Sequence, residues 1–461
     1  MSVRKEGVSF EKLRRVTQDP TATIHFVGIG GASMYSLARL AMTQGARVSG
    51  SDREASNRTR AIALHGATVM IGHRAENVNG ASLIVYTHAI PADNEELIEA
   101  TRLGIPSVSR AEYMGAMMLG YAGRVGVSGS HGKSTTVSML DCIFSHAGCE
   151  PTVLSGAELS DGESVKLGSD NLMIYEACEY KDSFLKFSPT ISVGLNLELD
   201  HTDYFDSLEA MKFSFTKALG KATRLSVVSG DDENLRRIIN SIKCPVVTFG
   251  SGDNNDYRYF ITSFFDGGFE FSLSKHENVI ARFELNVPGI FNVHNAVAAI
   301  VAALEYGIDV RIIAEAIKKY RGIPRRLELI GSRHARQVYY DYAHHPTEIA
   351  ASINALKMLT HEPVTVVFKP HTFSRTKSLW NELSAALSLA DYPILTDIYP
   401  AREEPVLGIT SEALAEHIGH NARYCKDNEV VRTVDHGTHG VIVLMGAGDF
   451  QEIKKDILKL F

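Results

Sequence analysis

The sequence predicts an α/β protein of three domains: a Rossmann-like N-terminal domain, a central P-loop domain and a Rossmann-like C-terminal domain. Three observations carry that expectation. Short, nearly continuous Val/Ile/Leu runs recur along the chain, as parallel strands buried on both faces require. Helical spacing separates these runs, the alternation of a doubly wound sheet. Glycine-rich turns after a strand restart at three well-separated places, which divides the chain into 1–118, 119–322 and 323–461. Its 461 residues are enough for several domains of ordinary size.

The first domain opens with Ile24-His25-Phe26-Val27 running into Gly28-Ile29-Gly30-Gly31. A helix follows, with Met34, Leu37, Ala38 and Ala41 on one face and Gly45 at its stop. A second strand ends at Gly50-Ser51-Asp52. The turn is close to a dinucleotide fingerprint, with Ser33 where a third glycine belongs and Asp52 spaced to meet a ribose hydroxyl. Physically it offers a diphosphate the N-terminus of a helix, which UDP satisfies as well as NAD.

The second domain begins at Arg124, and its run Gly126-Val127-Ser128-Gly129-Ser130-His131-Gly132-Lys133-Ser134-Thr135-Thr136 is a shortened P-loop. Glycines let backbone N–H groups close around phosphate oxygens, Lys133 brings a cation, and Ser134 brings a hydroxyl for Mg²⁺. Two later strands end in polar residues: Leu172–Tyr175 in Glu176, and Ile191–Leu195 in the stretch Asn196-Leu197-Glu198-Leu199-Asp200-His201. Strand carboxyl ends are where open α/β sheets hold ligands. Glu176 and His201 are therefore the expected metal-facing pair beside a γ-phosphate, with oxygen ligands suiting Mg²⁺ and an imidazole tolerated by Mn²⁺.

In the third domain Asp341-Tyr342-Ala343-His344-His345 and Lys369-Pro370-His371-Thr372-Phe373-Ser374-Arg375 each follow a strand. No cysteine or carboxylate spacing makes the histidines a zinc site. Arg375 with His344 and His371 better suits a carboxylate or phosphate.

Composition closes off other classes. A net charge of -7 argues against nucleic acid as a partner. Five scattered cysteines point to a reducing interior rather than a disulfide framework. The N-terminal stretch lacks the apolar core of an export signal, and no run reaches the length of a membrane span, so a cytoplasmic protein without a membrane partner is expected.

Taken together, these segments resemble the Mur ligase family, on the branch that joins L-alanine to UDP-N-acetylmuramate in peptidoglycan precursor synthesis. The resemblance runs from about Thr23 to Gly448 through His25–Asp52, Gly126–Thr136, Glu176–Tyr180, Asn196–His201, Pro288–Ala296, Gly322–Glu328, Asp341–Glu348, Pro370–Thr376 and Tyr399–Glu403. It implies that Gly28, Gly30 and Gly31 meet the UDP diphosphate, with Asp52, Thr87 and His88 towards the uridine. It implies ATP on Gly129, Ser130, His131, Gly132, Lys133, Ser134 and Thr135, with Asn292, Asn295, Arg326 and Asp341 completing that site. Metal on Ser134, Glu176 and His201, and the amino-acid side on His344, His371 and Arg375, follow in the same way. Lys133, Glu176, His201, His344 and Arg375 are then the residues expected to carry the chemistry. Relatives place serines where Thr87 and His88 stand and often a histidine at Phe291; some carry a carbamylated lysine, for which Lys212 and Lys217 are the candidates. Closure of the third domain over the acyl phosphate is a further expectation. A ligase for a preformed tripeptide, an NAD-dependent oxidoreductase and a nucleotide-binding protein without ligase activity are the competing readings. The second leaves the P-loop unexplained, and the third leaves the metal residues without a use.

Overall fold

The computed structural model describes residues 10–460 apart from 160–161, 202–203, 266, 334–335, 402, 420, 438–439 and 449. Residues 1–9, part of the segment read for an export signal, lie outside the described residues. Three sheets carry the fold, and the chain divides into two compact units. One unit holds residues 1–259, 273–281 and 297–316; the other holds 260–272, 282–296 and 317–461.

The first sheet has strands β1 (Thr23–Val27), β2 (Arg47–Asp52), β3 (Thr68–Ile71), β4 (Leu83–Tyr86) and β5 (Ser107–Ser109). Their order is β3-β2-β1-β4-β5, all parallel, and the order reverses beside β1. That reversal leaves a crevice at the strand carboxyl ends, the place such sheets give to ligands. Ile24, Phe26, Leu83 and Val85 are fully buried in a core that helix Ala32–Thr43 covers with Met34, Leu37, Ala38 and Ala41. The helical face read from the sequence is thus the buried one.

The same unit contains β6 (Gly123–Ser128), β7 (Thr152–Leu154), β8 (Val165–Lys166), β9 (Leu172–Glu176), β10 (Ile191–Gly194), β11 (Leu225–Ser229) and β12 (Val246–Gly250). They lie in the order β12-β11-β10-β6-β9-β7-β8, parallel except for β8. β6 is central, so the turn after it is flanked by the ends of β9 and β10. The register pairs Val127 with Glu176 and Ser128 with Gly194, which sets the acid and the Asn196–His201 stretch beside that turn. β13 (Tyr257–Phe265) pairs with β12 through Tyr257 and Arg258, and β14 (Gly268–Lys275) and β15 (Asn278–Leu285) follow, divided between the units.

The second unit is built on β16 (Glu328–Arg333), β17 (Arg336–Asp341), β18 (Val364–Phe368), β19 (Tyr392–Leu395), β20 (Arg423–Tyr424) and β21 (Val441–Met445). The order is β16-β17-β21-β18-β19-β20, with only β16 antiparallel. Every residue of β18 and β21 is buried, the pattern of a central parallel strand with helices on both faces. Asp341 ends β17, and Lys369 with His371 follows β18, so both polar segments lie at carboxyl ends of the same sheet.

Candidate active site

In the first unit the phosphate turn joins β6 to helix Lys133–His146. Gly129 (φ 150°) and Gly132 (φ 85°) adopt backbone conformations that a side chain would strain, and Gly132 is the N-cap of the helix. The turn is held from the end of β10. His131 N–H donates to Asn196 Oδ1 (2.8 Å), Asn196 Nδ2 donates to the His131 carbonyl (3.1 Å), and Ser130 Oγ bonds both the N–H and the carbonyl of Glu198 (2.9 Å each). His131 Nε2 also lies 3.4 Å from Glu198 Oε2. Ser134 and Thr135 are buried at the helix start.

Lys133 reaches both carboxylate oxygens of Glu179 at 3.1 Å and the carbonyls of Gly129 and Ser130. Glu179 is 1% exposed, and its Oε1 lies 3.5 Å from His201 Nε2. Burial opposes both charges, yet the ion pair wins: the Lys133 ammonium is held above the usual lysine range by Glu179, Cys178 and Glu176. Glu179 is held below the usual carboxylate range by Lys133 and His201. His201 stacks at a tilt on Tyr180 (4.8 Å between centroids) and takes a positive φ of 54°, as do Lys181 and Asp182 nearby.

The two acids of this segment have different partners. Glu176 is bound by the turn after β7, accepting from Gly156 N–H (2.6 Å) and Ser155 Oγ (3.1 Å), and Glu179 is the acid that touches both Lys133 and His201. Glu176 stays near enough to act on Lys133 through its charge. Sequence reasoning passed over Glu179 because nothing local ranks it above Glu176. Its place three residues beyond Glu176 is the available signal, and the structure makes it the N-cap of the 3₁₀ helix Tyr180–Lys186. Of the two candidate carbamylated lysines, Lys212 is buried and lies 2.9 Å from Glu209, and Lys217 is exposed over the Phe213 ring.

The N-terminal turn has its own architecture. Gly28 and Ile29 donate to the Ser51 carbonyl (2.8 and 2.9 Å), and Gly30 N–H donates to Asp52 Oδ2 (2.8 Å). Asp52, expected at a ribose, here caps the glycine turn. Gly31 is the N-cap of helix Ala32–Thr43. Thr87 lies 3.5 Å from the position a Gly28 Cβ would take, while His88 is exposed and packs edge-on against Tyr86.

In the second unit Asp341 is buried, and burial lifts its carboxyl to about 6 while Ser352 and Arg326 pull the other way. Ser352 Oγ donates to it. Arg325 and Arg326 stack on Tyr342 (4.7 and 5.1 Å). His344 is held neutral: burial and the Arg375 charge outweigh Glu348, and its imidazole drops to about 4. His371 is lowered by burial and Arg375, stacks on Tyr399 (5.7 Å), and meets His344 edge-on (6.1 Å). Ser374 donates to Glu403, fixing the start of the helix that carries Arg375. The structure thus gathers His344, His371 and Arg375, and adds Tyr399 and Glu403, which sequence reasoning did not assign. Asn292 and Asn295 are buried and bonded to one another (3.3 Å) in this same unit.

Family profiles match the chain in succession: "Mur ligase family, catalytic domain" over residues 23–122, "Mur ligase middle domain" over 127–303 and "Mur ligase, glutamate ligase domain" over 325–448. The chain belongs to the Mur ligase family. Curated relatives include UDP-N-acetylmuramate–L-alanine ligases from Alkaliphilus metalliredigens and Caldicellulosiruptor bescii, each 40% identical over 444 residues. These alignments cover 94% of this chain and 96% and 98% of the relatives. Among solved structures, UDP-N-acetylmuramate–alanine ligase from Thermotoga maritima matches with a TM-score of 0.80 at 26% identity, covering 95% of this chain and 98% of that one. A murein peptide ligase from Psychrobacter arcticus shares the fold, with a TM-score of 0.70 at 23% identity, covering 95% of this chain and 98% of its own.

Proposed function

We propose that this protein joins L-alanine to the carboxylate of UDP-N-acetylmuramate at the expense of ATP, through an acyl phosphate. The observation that carries it is the end-to-end 40% identity with ligases of that name, on a chain whose phosphate turn has a lysine gripped by a buried acid. The substrate carboxylate attacks the γ-phosphate, ADP departs, the alanine amine attacks the acyl carbonyl, and inorganic phosphate leaves. No protein nucleophile is needed; positioning and charge neutralisation do the work.

Lys133 neutralises the transferring phosphoryl group, exchanging its bond to Glu179 for bonds to phosphate oxygens. Gly129, Ser130, His131, Gly132 and Thr135 present the turn, and Asn292, Asn295, Arg326 and Asp341 hold the rest of the nucleotide. The donor set suits Mg²⁺: the Ser134 hydroxyl, the carboxylates of Glu176 and Glu179, and the His201 imidazole are hard ligands or tolerated ones. Bound there, the ion would neutralise phosphate charge as it develops. Gly28, Gly30 and Gly31 receive the UDP diphosphate, with Asp52, Thr87 and His88 towards the uridine end. His344, neutral and beside Arg375 and His371, lines the amino-acid side, where the Arg375 cation orients a carboxylate. The working domain limits are 1–118, 119–322 and 323–461.

Phosphate release from ATP and Mg²⁺ with UDP-N-acetylmuramate tests this, with L-alanine, glycine, L-serine and the tripeptide compared in parallel. Release that needs both the UDP-sugar and L-alanine, and that vanishes in Lys133→Ala, is expected. Release with the tripeptide alone would move the protein to the recycling branch.

A further inference from the structure

The first sheet contains a buried polar network that the ligase reaction does not use directly. Its centre is Glu96, in the first turn of the helix Glu95–Arg102, with a fully buried side chain. Glu96 Oε2 accepts from Ser51 Oγ (2.7 Å) and lies 3.0 Å from His73 Nδ1; Oε1 accepts from Asn77 Nδ2 (2.6 Å) and lies 3.7 Å from His25 Nε2. His25, itself fully buried, meets Ser49 Oγ through Nδ1 at 2.9 Å. Asn77 also donates to the Gly72 carbonyl (3.0 Å), and Gly72 N–H donates to the Asp52 carbonyl (2.8 Å). Burial opposes the charge on this carboxylate, but its hydrogen bonds outweigh burial and hold it down at about 2, so it is an anion throughout the working range.

What the network grips decides its meaning. Ser51 is bonded through its hydroxyl to Glu96, while its carbonyl takes both Gly28 and Ile29 N–H. The next residue, Asp52, takes Gly30 N–H. The Gly28, Ile29 and Gly30 amides therefore hang on two consecutive residues, one held by Glu96 directly and the other through Asn77 and Gly72. A buried anion under a turn that is to receive another anion gives no attraction; its use is geometric. Those amides are taken by Ser51 and Asp52, so they set the shape of the turn, and the diphosphate meets the start of helix Ala32–Thr43 that the turn aims; a turn free to shift spends binding energy on ordering itself.

We propose that Glu96 is a positioning residue for the diphosphate of the UDP substrate, acting through Ser51 and Asp52 on the Gly28–Gly31 turn. The proposal rests on the assignment of that turn to the UDP substrate made above. Its test uses the full chain with Glu96→Ala, Glu96→Gln and Ser51→Ala, each assayed for KM of UDP-N-acetylmuramate, KM of ATP and kcat. Glu96→Ala is expected to raise the UDP-sugar KM about tenfold, the equivalent of one lost buried hydrogen bond, with kcat and the ATP KM within about twofold. Glu96→Gln, which keeps the shape and one acceptor, recovers most of that loss. Ser51→Ala, which removes only the hydroxyl link, shows the same selective rise in smaller measure and stands in if Glu96→Ala fails to fold. A UDP-sugar KM unchanged in all three, or one that rises equally with the ATP KM, overturns the positioning role. Wild-type protein that turns over ATP without responding to the UDP-sugar would overturn the substrate assignment instead.

Discussion

Lys133 and the buried Glu179 form an ion pair at the glycine turn after β6, with the ammonium 3.1 Å from each carboxylate oxygen. Such a pair contributes little net stability when intact, but removing one partner leaves an uncompensated charge. Glu179→Leu, which leaves a partly buried Lys133 ammonium without its partner, is expected to lower stability by about 3 kcal/mol. Lys133→Met with Glu179→Leu should cost clearly less than the two single changes added together. Urea unfolding of the four proteins measures the coupling, and additive losses would show that the pair is not linked.

Magnesium dependence separates the two acids. Glu179 already serves Lys133 and His201, whereas Glu176 is bonded to Ser155 and Gly156 at the end of β9. If both carboxylates contribute to the ion, Glu176→Gln and His201→Ala each raise the Mg²⁺ concentration for half-maximal phosphate release by about tenfold or more. Chelation should abolish release in the wild type, and Mn²⁺ should restore it. A Glu176→Gln enzyme with an unaltered Mg²⁺ titration would leave Glu179 as the metal-side acid.

The strands and the phosphate turn were legible because their signals are local. Val125, Val127, Ile174 and Val193 belong to parallel strands buried on both faces, which need continuous apolar runs, and a turn around phosphates needs its glycines at close spacing. The polar partners were not legible, because a side chain's choice among distant donors depends on how strands register. The spacing of Asp52 points to a ribose, and only the register of β2 shows that it also accepts from the Gly30 amide. Glu179 lost to Glu176 in the sequence because only the fold shows which of them Lys133 can reach. Glu96 carried no motif at all, and its partners His25, Ser51, His73 and Asn77 come from separate elements.

Gly30 offers a steric test of the N-terminal turn. A Cβ there would stand 2.8 Å from Thr59 Cγ2 and 2.9 Å from Asp52 Oδ2, closer than real Cβ atoms come. Gly30→Ala must therefore push Asp52 away and loosen the amide it accepts from. We expect about 1–3 kcal/mol of destabilisation. Affinity for the UDP substrate should also fall, while nucleotide affinity at the Lys133 turn stays the same, as isothermal titration of each ligand would show. Equal weakening of both ligands would argue for general unfolding rather than a local effect.

Two titrations in the second unit pull stability in opposite directions over one pH window. His344 drops from 6.5 to about 4 on folding, so its contribution is full above pH 6.5 and is lost as pH falls through that range. Asp341 rises from 3.8 to about 6, so its contribution is full below pH 3.8 and is lost as pH rises through 6. Each shift corresponds to about 3 kcal/mol, with opposite sign, so between pH 4 and 6 the wild type should show little net slope from this pair. Asp341→Asn removes only the acid-side gain. The variant should be at least as stable as wild type at pH 7.5, where burying an ionised Asp341 is costly, and should lose that advantage steadily towards pH 4.5. Thermal unfolding of both proteins across that range checks it. Parallel profiles would mean that Asp341 is ionised in the folded protein throughout, with Arg326 and not burial setting its charge.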